Sequence, residues 1–182
     1  MQTPVLSPSR YSTVAITLHW LLALMIVCSF SLGLYMSDLP FSPTRLKLFN
    51  WHKWAGITIL TLSTLRLLWR LTHRPPADLS MPAWQRLAAH GAHWALYALF
   101  FAVPLMGWAY SSAAGFPVVV FGVLPLPDFV APDRAVAEIL KERHGQLAWA
   151  LAVVVVVHVA AALKHHFIDR DGLLLRMRPG RG

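Results

Sequence analysis

Cysteine is nearly absent from this chain. Cys28 is the single cysteine among 182 residues. This excludes an intramolecular disulfide, an iron–sulfur cluster held by four thiolates, and haem attached covalently through a C-x-x-C-H motif. Any haem in this protein must therefore be held by coordination and packing alone.

Charged residues are also few. Only 13% of the residues are charged and 57% are apolar, whereas a soluble domain of this size carries about 25% charged residues. The mean hydropathy is positive, which is typical of a membrane protein. The formal net charge is +8, but the basic residues lie between and beyond the apolar runs rather than in one patch. This distribution favours a role in topology and lipid contact and argues against nucleic-acid binding.

Four apolar runs are long enough to cross a hydrocarbon core of about 30 Å as helices. They predict spans at residues 14–36, 54–71, 91–111 and 147–163. We therefore expect an all-α fold, a transmembrane four-helix bundle, forming one integral-membrane domain over residues 1–182. A Pro- and Gly-rich stretch, 115–132, and a polar segment, 133–143, that is compatible with a short amphipathic helix join the last two spans.

Lysine and arginine are unevenly divided between the two sides of this predicted bundle. Four spans place both termini on one side, and the segments on that side hold ten basic residues against six on the other. Because basic residues are enriched in cytoplasmic loops, both termini are predicted to be cytoplasmic.

Nine histidines are many for a membrane protein of this size, because a polar ring in hydrocarbon is costly without a partner or a function. His144 and His158 are 14 residues apart, close to four helical turns, so their side chains leave one face about 21 Å apart along the axis. His19 lies at the predicted depth of His158, and His52 lies at that of His144. Two stacked histidine pairs are therefore predicted.

A pair of imidazoles from facing helices supplies the two axial ligands that a b-type haem iron needs. Such a site leaves no open coordination position, so it suits electron transfer rather than oxygen binding. Two haems at different depths would form an electron path across the membrane. The alternative for these histidines is hydrogen bonding between helices, which does not explain two matched depths.

Other polar residues lie at the predicted depth of the haem between His19 and His158, which is the one nearer the cytoplasmic face and is called the inner haem. Arg66, four residues before Arg70, is a candidate for binding haem propionates; the alternative for both is a stop-transfer charge. His90 and His93 share one face of the third helix. They are candidates for binding a propionate, relaying protons at a quinone site, or replacing an assigned ligand, and interfacial residues without a special role are the alternative.

Two glycines lie close in sequence to His52 and His144, which are the predicted ligands nearer the outer face and are called the outer ligands. Gly56 is one turn after His52, and Gly145 follows His144. Each would let a porphyrin lie against the helix backbone, and ordinary packing of small residues is the alternative.

His165 and His166, at the end of the fourth span, are predicted to be interfacial.

Four stretches give the sequence a resemblance to a known family. They are L-H-W-L-L-A-L at His19, W-H-K-W-A-G at His52, H-G-A-H-W-A-L-Y-A-L-F-F-A-V-P-L-M-G-W from His90, and H-V-A-A-A-L-K-H-H-F-I-D-R-D-G-L-L-L-R-M from His158. With them the chain resembles the bacterial diheme cytochrome b-561 family, within a broader group that includes the b-type cytochrome subunits of nickel–iron hydrogenases and formate dehydrogenases.

The resemblance implies two haems b, one held by His19 and His158 and the other by His52 and His144. It also implies a place in the bacterial inner membrane and electron transfer to or from ubiquinone. A close relative in the family is a superoxide oxidase, which passes electrons from superoxide to ubiquinone. Many relatives have an acidic residue directly after the earlier fourth-helix histidine, where this chain has Gly145.

We therefore expect an oxidoreductase that moves electrons from superoxide at the outer face to ubiquinone at the inner face. Basic residues near the outer ligands, including Lys53 and Arg143, would attract an anion, although nearby acidic residues nearly cancel their charge. The first alternative is a cytochrome subunit that links a partner dehydrogenase, hydrogenase or reductase to the quinone pool. The second is a histidine-based proton or metal transporter. A homodimer is compatible with each of these.

Overall fold

Four long helices make up most of the computed structural model, which describes residues 10–180. They are α1 (Thr13–Ser37), α2 (Pro43–Thr72), α3 (Ala83–Ala113) and α4 (Arg134–Lys164). A two-stranded antiparallel sheet, β1 (Val119–Val120) with β2 (Leu124–Pro125), lies between α3 and α4. A π-helical turn (His165–Asp169) and a 3-10 helix (Leu174–Met177) follow α4. The predicted all-α four-helix architecture is confirmed.

Side-chain caps determine where three of these helices begin. The side chains of Ser12 and Ser42 accept hydrogen bonds from the first-turn amides of α1 and α2, which satisfies donors that have no partner within the helix. Asp133 does the same for α4, accepting from two backbone amides at 2.8 and 3.0 Å. Because this cap precedes Arg134, the polar segment 133–143 is the beginning of α4 and not a separate helix.

The helices pack α1 against α2, α2 against α3, and α3 against α4. Few large side chains are buried, and Leu22 and Val118 are the most completely enclosed apolar ones among the described residues. Long apolar side chains also cover the outside of the bundle, as at Val153, Val156 and Val157 of α4. An apolar exterior is the surface that lipid requires.

Three helices of the described chain, α1, α3 and α4, are long and apolar enough to cross a membrane, and for α4 this stretch extends through the π-helical turn to Asp169. The helix α2 is as long, but it does not meet this condition. Its five basic residues lower its hydropathy: Arg45, Lys47, Lys53, Arg66 and Arg70. The predicted crossing at 54–71 therefore stays a prediction, while the other three predicted spans lie within apolar helices.

The first and last of the described residues meet at one end of the bundle, which we call the terminal end. It comprises the start of α1, the end of α2, the start of α3 and the end of α4. The guanidinium of Arg10 donates to the carbonyl oxygens of Arg178 at 2.6 Å and Gly180 at 2.9 Å, and the indole N–H of Trp20 donates to Met177 O at 2.8 Å. Residues 170–180 are thereby held against the bundle.

The two short strands cover the opposite end, which we call the hairpin end. The indole N–H of Trp54 donates to Val119 O at 2.6 Å, and the Lys53 ammonium donates to the carbonyls of Phe116 and Pro117 at 3.3 and 3.2 Å. Both donors directly follow His52 in α2. The hairpin is thus fastened to the same helical turn that carries one of the predicted haem ligands.

Candidate functional site

One predicted histidine pair forms at the hairpin end. The ring centroids of His52 in α2 and His144 in α4 are 6.0 Å apart, with the ring planes at 85°. Imidazole nitrogens bind transition metals at about 2 Å, so two rings on one metal ion have centroids about 6 Å apart. The separation of this pair therefore matches what one iron between two imidazoles requires.

Both rings of this pair are held in the same way by a neighbouring helix. The Nδ1 of His52 lies 3.1 Å from Ser29 O in α1, and the Nδ1 of His144 lies 3.0 Å from Val103 O in α3. Because a carbonyl oxygen only accepts, each Nδ1 carries the donated proton. This tautomer leaves the Nε2 lone pair of each ring free to bind a metal.

A glycine lies against each ring, four residues beyond the accepting carbonyl. A Cβ added to Gly33 would lie 3.2 Å from His52 Cε1, and one added to Gly107 would lie 2.9 Å from His144 Cε1. The lack of a side chain at these two positions therefore makes room for the rings. The sequence predicts that Gly56 and Gly145 let a porphyrin lie against the helix backbone, and this stays a prediction; neither lies against these rings. Gly33 and Gly107 are far from the histidines in sequence, so no local pattern indicates their role.

The second predicted pair forms at the terminal end, where a third histidine joins it. The centroids of His19 in α1 and His158 in α4 are 6.2 Å apart, again close to the separation for two rings on one metal ion. His93 in α3 is 5.5 Å from His158. Of the two third-helix histidines that the sequence singled out, the structure brings His93 to the cluster. His90 is exposed and contacts Asp78 at 3.2 Å.

Arg66 contacts this cluster directly. Its Nη1 lies 2.9 Å from His19 Nδ1. A guanidinium only donates, so His19 Nδ1 is the acceptor and the ring proton sits on Nε2. Binding a metal through Nε2 would require this proton to move and would release the Arg66 guanidinium. The released cation would then be free for another anionic or accepting group.

A buried arginine that the sequence did not single out lies at the same end. Arg176 is only 8% exposed. Its Nη1 donates to Ala77 O at 2.6 Å, while its Nε has no hydrogen-bond partner in residues 10–180. No carboxylate of the described residues forms an ion pair with it. A buried cation without a counter-ion is costly, so this guanidinium favours an anionic group nearby.

These residues fit the haem that the sequence predicts. Each end of the bundle provides two imidazoles at the separation that a single iron needs, and glycines make room for the rings at the hairpin end. At the terminal end, Arg66 and Arg176 form no ion pair with a carboxylate of residues 10–180. A haem carries two propionates, which such arginines bind.

A network of charged residues fastens the turn after α4. His165 Nδ1 lies 2.5 Å from an Asp171 carboxylate oxygen, and the Lys164 ammonium lies 2.6 Å from Asp169. Burial raises the pKa of Asp171, but the backbone N–H of Leu173 and the His165 side chain outweigh burial, and the pKa is lowered. His165 and the two aspartates could also hold a metal ion, but the Lys164 contact shows Asp169 already engaged in an ion pair.

Known proteins match this chain over nearly its whole length. The family described as prokaryotic cytochrome b561 matches residues 10–180. Cytochrome b561 homolog 2 of Escherichia coli K12 is 39% identical over 173 residues, covering 94% of this chain and 92% of the relative. A probable superoxide oxidase CybB of Yersinia pestis is 33% identical over 175 residues, covering 93% and 96%. Cytochrome b561 homolog 1 of Escherichia coli K12 is 33% identical over 177 residues, covering 95% and 99%.

Proposed function

Because the chain belongs to the prokaryotic cytochrome b561 family, whose members are membrane electron-transfer proteins with b-type haem, we propose that it is a diheme superoxide:ubiquinone oxidoreductase. The chain would form a single integral domain of the bacterial inner membrane. Superoxide would deliver electrons at the hairpin end, facing the periplasm, and ubiquinone would receive them at the terminal end, facing the cytoplasm.

The observation that carries this proposal is the placement of two histidine pairs along α4. His144 and His158 each lie about 6 Å from a partner histidine on another helix, and their backbones are about 21 Å apart along the helix axis. When bound at these positions, two b-type haems would supply one-electron carriers at two depths of the bilayer.

The side chains at the two sites have two kinds of proposed role. Some bind the haem iron, and others bind the haem propionates and neutralise their charge. We assign His52 with His144 as axial ligands at the hairpin end, and His19 with His158 at the terminal end. Arg66 would leave His19 Nδ1 and bind a propionate, since the two roles use the same guanidinium.

Two further residues of the terminal end are assigned roles. We assign Arg176 as a second propionate contact because its buried guanidinium has no carboxylate partner among the described residues. His93 is within ring contact of His158, where it would line the pocket beside the ligand.

Superoxide as the donor is supported by the printed name of one relative and by the chemistry of the hairpin end. Bis-histidine ligation leaves no position at which a donor could bind the iron. The electron donor must therefore react at the edge of the haem, and a small anion that gives up one electron can do so. Arg143 contacts the Gln146 side chain at 2.8 Å and no carboxylate among the described residues. Its positive charge is therefore available to attract an anion.

Haem quantification tests the first half of the proposal. The purified, detergent-solubilised protein should contain two haems b per polypeptide. His144→Ala and His158→Ala should each lose one of them with different spectral changes, and His73→Ala, in the exposed segment after α2, should keep both. A colourless protein would refute the proposal and favour the transporter. Retention of both haems in the two ligand variants would refute the ligand assignment.

Superoxide-driven quinone reduction tests the second half. The isolated protein should reduce a ubiquinone analogue when superoxide is generated enzymatically, and superoxide dismutase should abolish the reaction. Haem that stays oxidised under a superoxide flux, together with recovery of the protein in a stable complex with a dehydrogenase, hydrogenase or reductase, would instead identify it as the cytochrome subunit of that enzyme.

A further inference from the structure

The segment that carries the β-hairpin consists almost entirely of apolar residues. Residues 113–132 contain one charged side chain, Asp128, and no other polar one, whereas turns and loops that face water are polar. We propose that the turn of this hairpin, residues 121–124, which we call the hairpin tip, inserts into the bilayer at the boundary between headgroups and acyl chains and binds lipid there. This inference goes beyond the proposed function and depends only on the place of the chain in a membrane.

The side chains of the hairpin tip are exposed, although the strand before them is buried. Phe121, Val123 and Leu124 are 65%, 81% and 57% exposed, while Val118 and Val120 are buried. The hairpin is therefore packed on the helices through one strand and presents three large apolar side chains at its turn. Adjacent apolar side chains that no other described residue covers indicate an interaction surface.

The turn holds an aromatic residue where its backbone geometry disfavours one. The backbone N–H of Val123 donates to Val120 O at 3.1 Å, and Phe121 and Gly122 between them have φ angles of 52° and 75°. Two positive φ angles are what a type I′ turn requires, and asparagine, aspartate and glycine are the usual residues there. A bulky side chain in this conformation is costly, so Phe121 must gain free energy from contacts of its ring.

Only part of that gain comes from the protein. The Phe121 ring lies against Trp54 of α2, with the ring centroids 5.6 Å apart. The rest of the Phe121 side chain has no cover among residues 10–180, as its exposure shows. Contact with lipid would remove this remaining apolar surface from water.

Hydrogen bonds hold the hairpin at the depth where α2 is predicted to enter the apolar layer. The indole N–H of Trp54 donates to Val119 O, and the ammonium of Lys53 donates to Phe116 O and Pro117 O. The second predicted span begins at residue 54. The strand β1 therefore lies close to the boundary of the hydrocarbon core.

An exposed pair on α2 indicates the same boundary independently. The Lys47 ammonium lies 5.0 Å from the centroid of the Trp51 ring, and the Trp51 side chain is exposed. Tryptophan is enriched at the membrane–water interface, and lysine extends from there to the headgroups. Both residues lie within about 10 Å of Trp54 along the helix, so this pair and the hairpin belong to one interfacial layer.

The chemistry of the hairpin tip favours lipid over a protein partner. A surface that binds a soluble protein has a polar rim around its apolar centre, and residues 121–124 have no polar side chain. The outside of the same bundle already presents apolar side chains to lipid, so the bilayer covers the hairpin tip without a further partner.

Fluorescence quenching in liposomes tests the insertion. The purified chain with Cys28→Ser and Val123→Cys is labelled with bimane and reconstituted into phosphatidylcholine. Lipids with a nitroxide near the top of the acyl chain should quench this label about threefold more than a label at Arg74→Cys in the exposed segment after α2, and iodide on both sides of the membrane should quench it about threefold less. A label at Val153→Cys, on the exposed face of α4, gives the lipid reference.

A substitution at the turn tests the role of Phe121. Asparagine suits a positive φ, so Phe121→Asn keeps the turn and removes the aromatic ring. It should reduce nitroxide quenching of the label at residue 123 by about half and increase iodide quenching, without loss of haem. Phe167→Asn removes a phenylalanine of equal exposure, 66%, at the terminal end, and should leave both values unchanged. Unchanged quenching in Phe121→Asn would overturn the role of its ring.

Two results would overturn the insertion itself. Iodide quenching equal to that at Arg74→Cys, without nitroxide quenching, would mean that the hairpin tip lies in water. Protection from both quenchers would mean that protein covers it, and a disulfide between two Val123→Cys chains would identify a second copy. If Val123→Cys does not fold, Leu124→Cys takes its place. Haem content and superoxide-driven reduction are measured separately, so failure of the insertion leaves the proposed function intact.

Discussion

The Nδ1 of His144 lies 3.0 Å from the carbonyl oxygen of Val103. This contact crosses from α4 to α3 and fixes both the tautomer and the direction of the ring. The contact between His52 and Ser29 O, at 3.1 Å, repeats it from α2 to α1. The hairpin-end site is therefore built from two similar halves, each a histidine on one helix held by a carbonyl and a glycine on another.

Adding a methyl group at the glycines should displace the rings to different extents. Gly107→Ala places a Cβ 2.9 Å from His144 Cε1, and Gly33→Ala places one 3.2 Å from His52 Cε1. We expect Gly107→Ala to lose the hairpin-end haem and Gly33→Ala to keep it with a shifted spectrum. Gly91→Ala, at the other end of the bundle, meets nothing within 4 Å and serves as the control. Haem content and absorbance spectra measure the series, and full haem content with a wild-type spectrum in Gly107→Ala would refute this account.

Removing the charge of Arg66 should change the potential of the terminal-end haem. Without the Arg66 guanidinium near the terminal-end haem, the extra electron of the reduced state is less stabilised, so Arg66→Gln should lower the midpoint potential by on the order of 50 mV. Arg66→Lys keeps the charge and should retain most of the potential. Redox titration measures both variants, and Arg74→Gln in the exposed loop after α2 is the control. If Arg66 acts only as a stop-transfer charge, neither potential will move.

Charge reversal at the hairpin end should slow superoxide capture. Arg143→Glu replaces an attractive charge with a repulsive one, so haem reduction by superoxide should slow several-fold at low salt and converge with wild type at high salt. Arg74→Glu at the terminal end is the control. Arg143 is the better test than Lys53, because the Lys53 ammonium also holds the hairpin carbonyls. A rate and a salt dependence equal to wild type would exclude steering by this residue.

The tail should detach in acid. Hydrogen bonds from Leu173 and His165 outweigh burial and lower the folded-state pKa of Asp171. Its contribution to tail docking is therefore fully present above the ordinary carboxyl pKa of about 4 and is lost as the pH falls through the lowered folded-state value. Limited proteolysis of the tail across a pH series measures this. Asp171→Asn should loosen the tail at neutral pH, whereas Asp38→Asn should not; equal protection of both variants would contradict the role of Asp171.

The four predicted helices are confirmed, and the structure brings the rings of both predicted histidine pairs together, because both features depend on helical spacing. The role of these histidines as haem ligands stays a prediction. Apolar run lengths reveal the helices, and depth along each run matches His19 to His158 and His52 to His144. The helix bounds were less accurate. The helix α4 begins at Arg134, well before the predicted span, because a capped helix continues beyond the apolar part.

Features that depend on tertiary contact could not be predicted from the sequence. Gly33 and Gly107 matter because of rings that approach from other helices, and no local pattern marks them. The short hairpin was also missed, since its strands have two residues each and its turn places Phe121 at a φ of 52°, a conformation that bulky residues rarely adopt. Arg176 is buried because residues 170–180 fold back against the bundle, and no sequence pattern indicates this contact.

One unbroken helix, α4, carries a histidine of each pair, so the distance between the two pairs does not depend on the thickness of the bilayer. A thicker or thinner bilayer is accommodated by tilting of helices, which would move both proposed redox centres relative to the lipid. It would not change the spacing between them along α4, because the helix backbone sets that spacing. The rate of electron exchange between the centres should therefore be insensitive to lipid chain length.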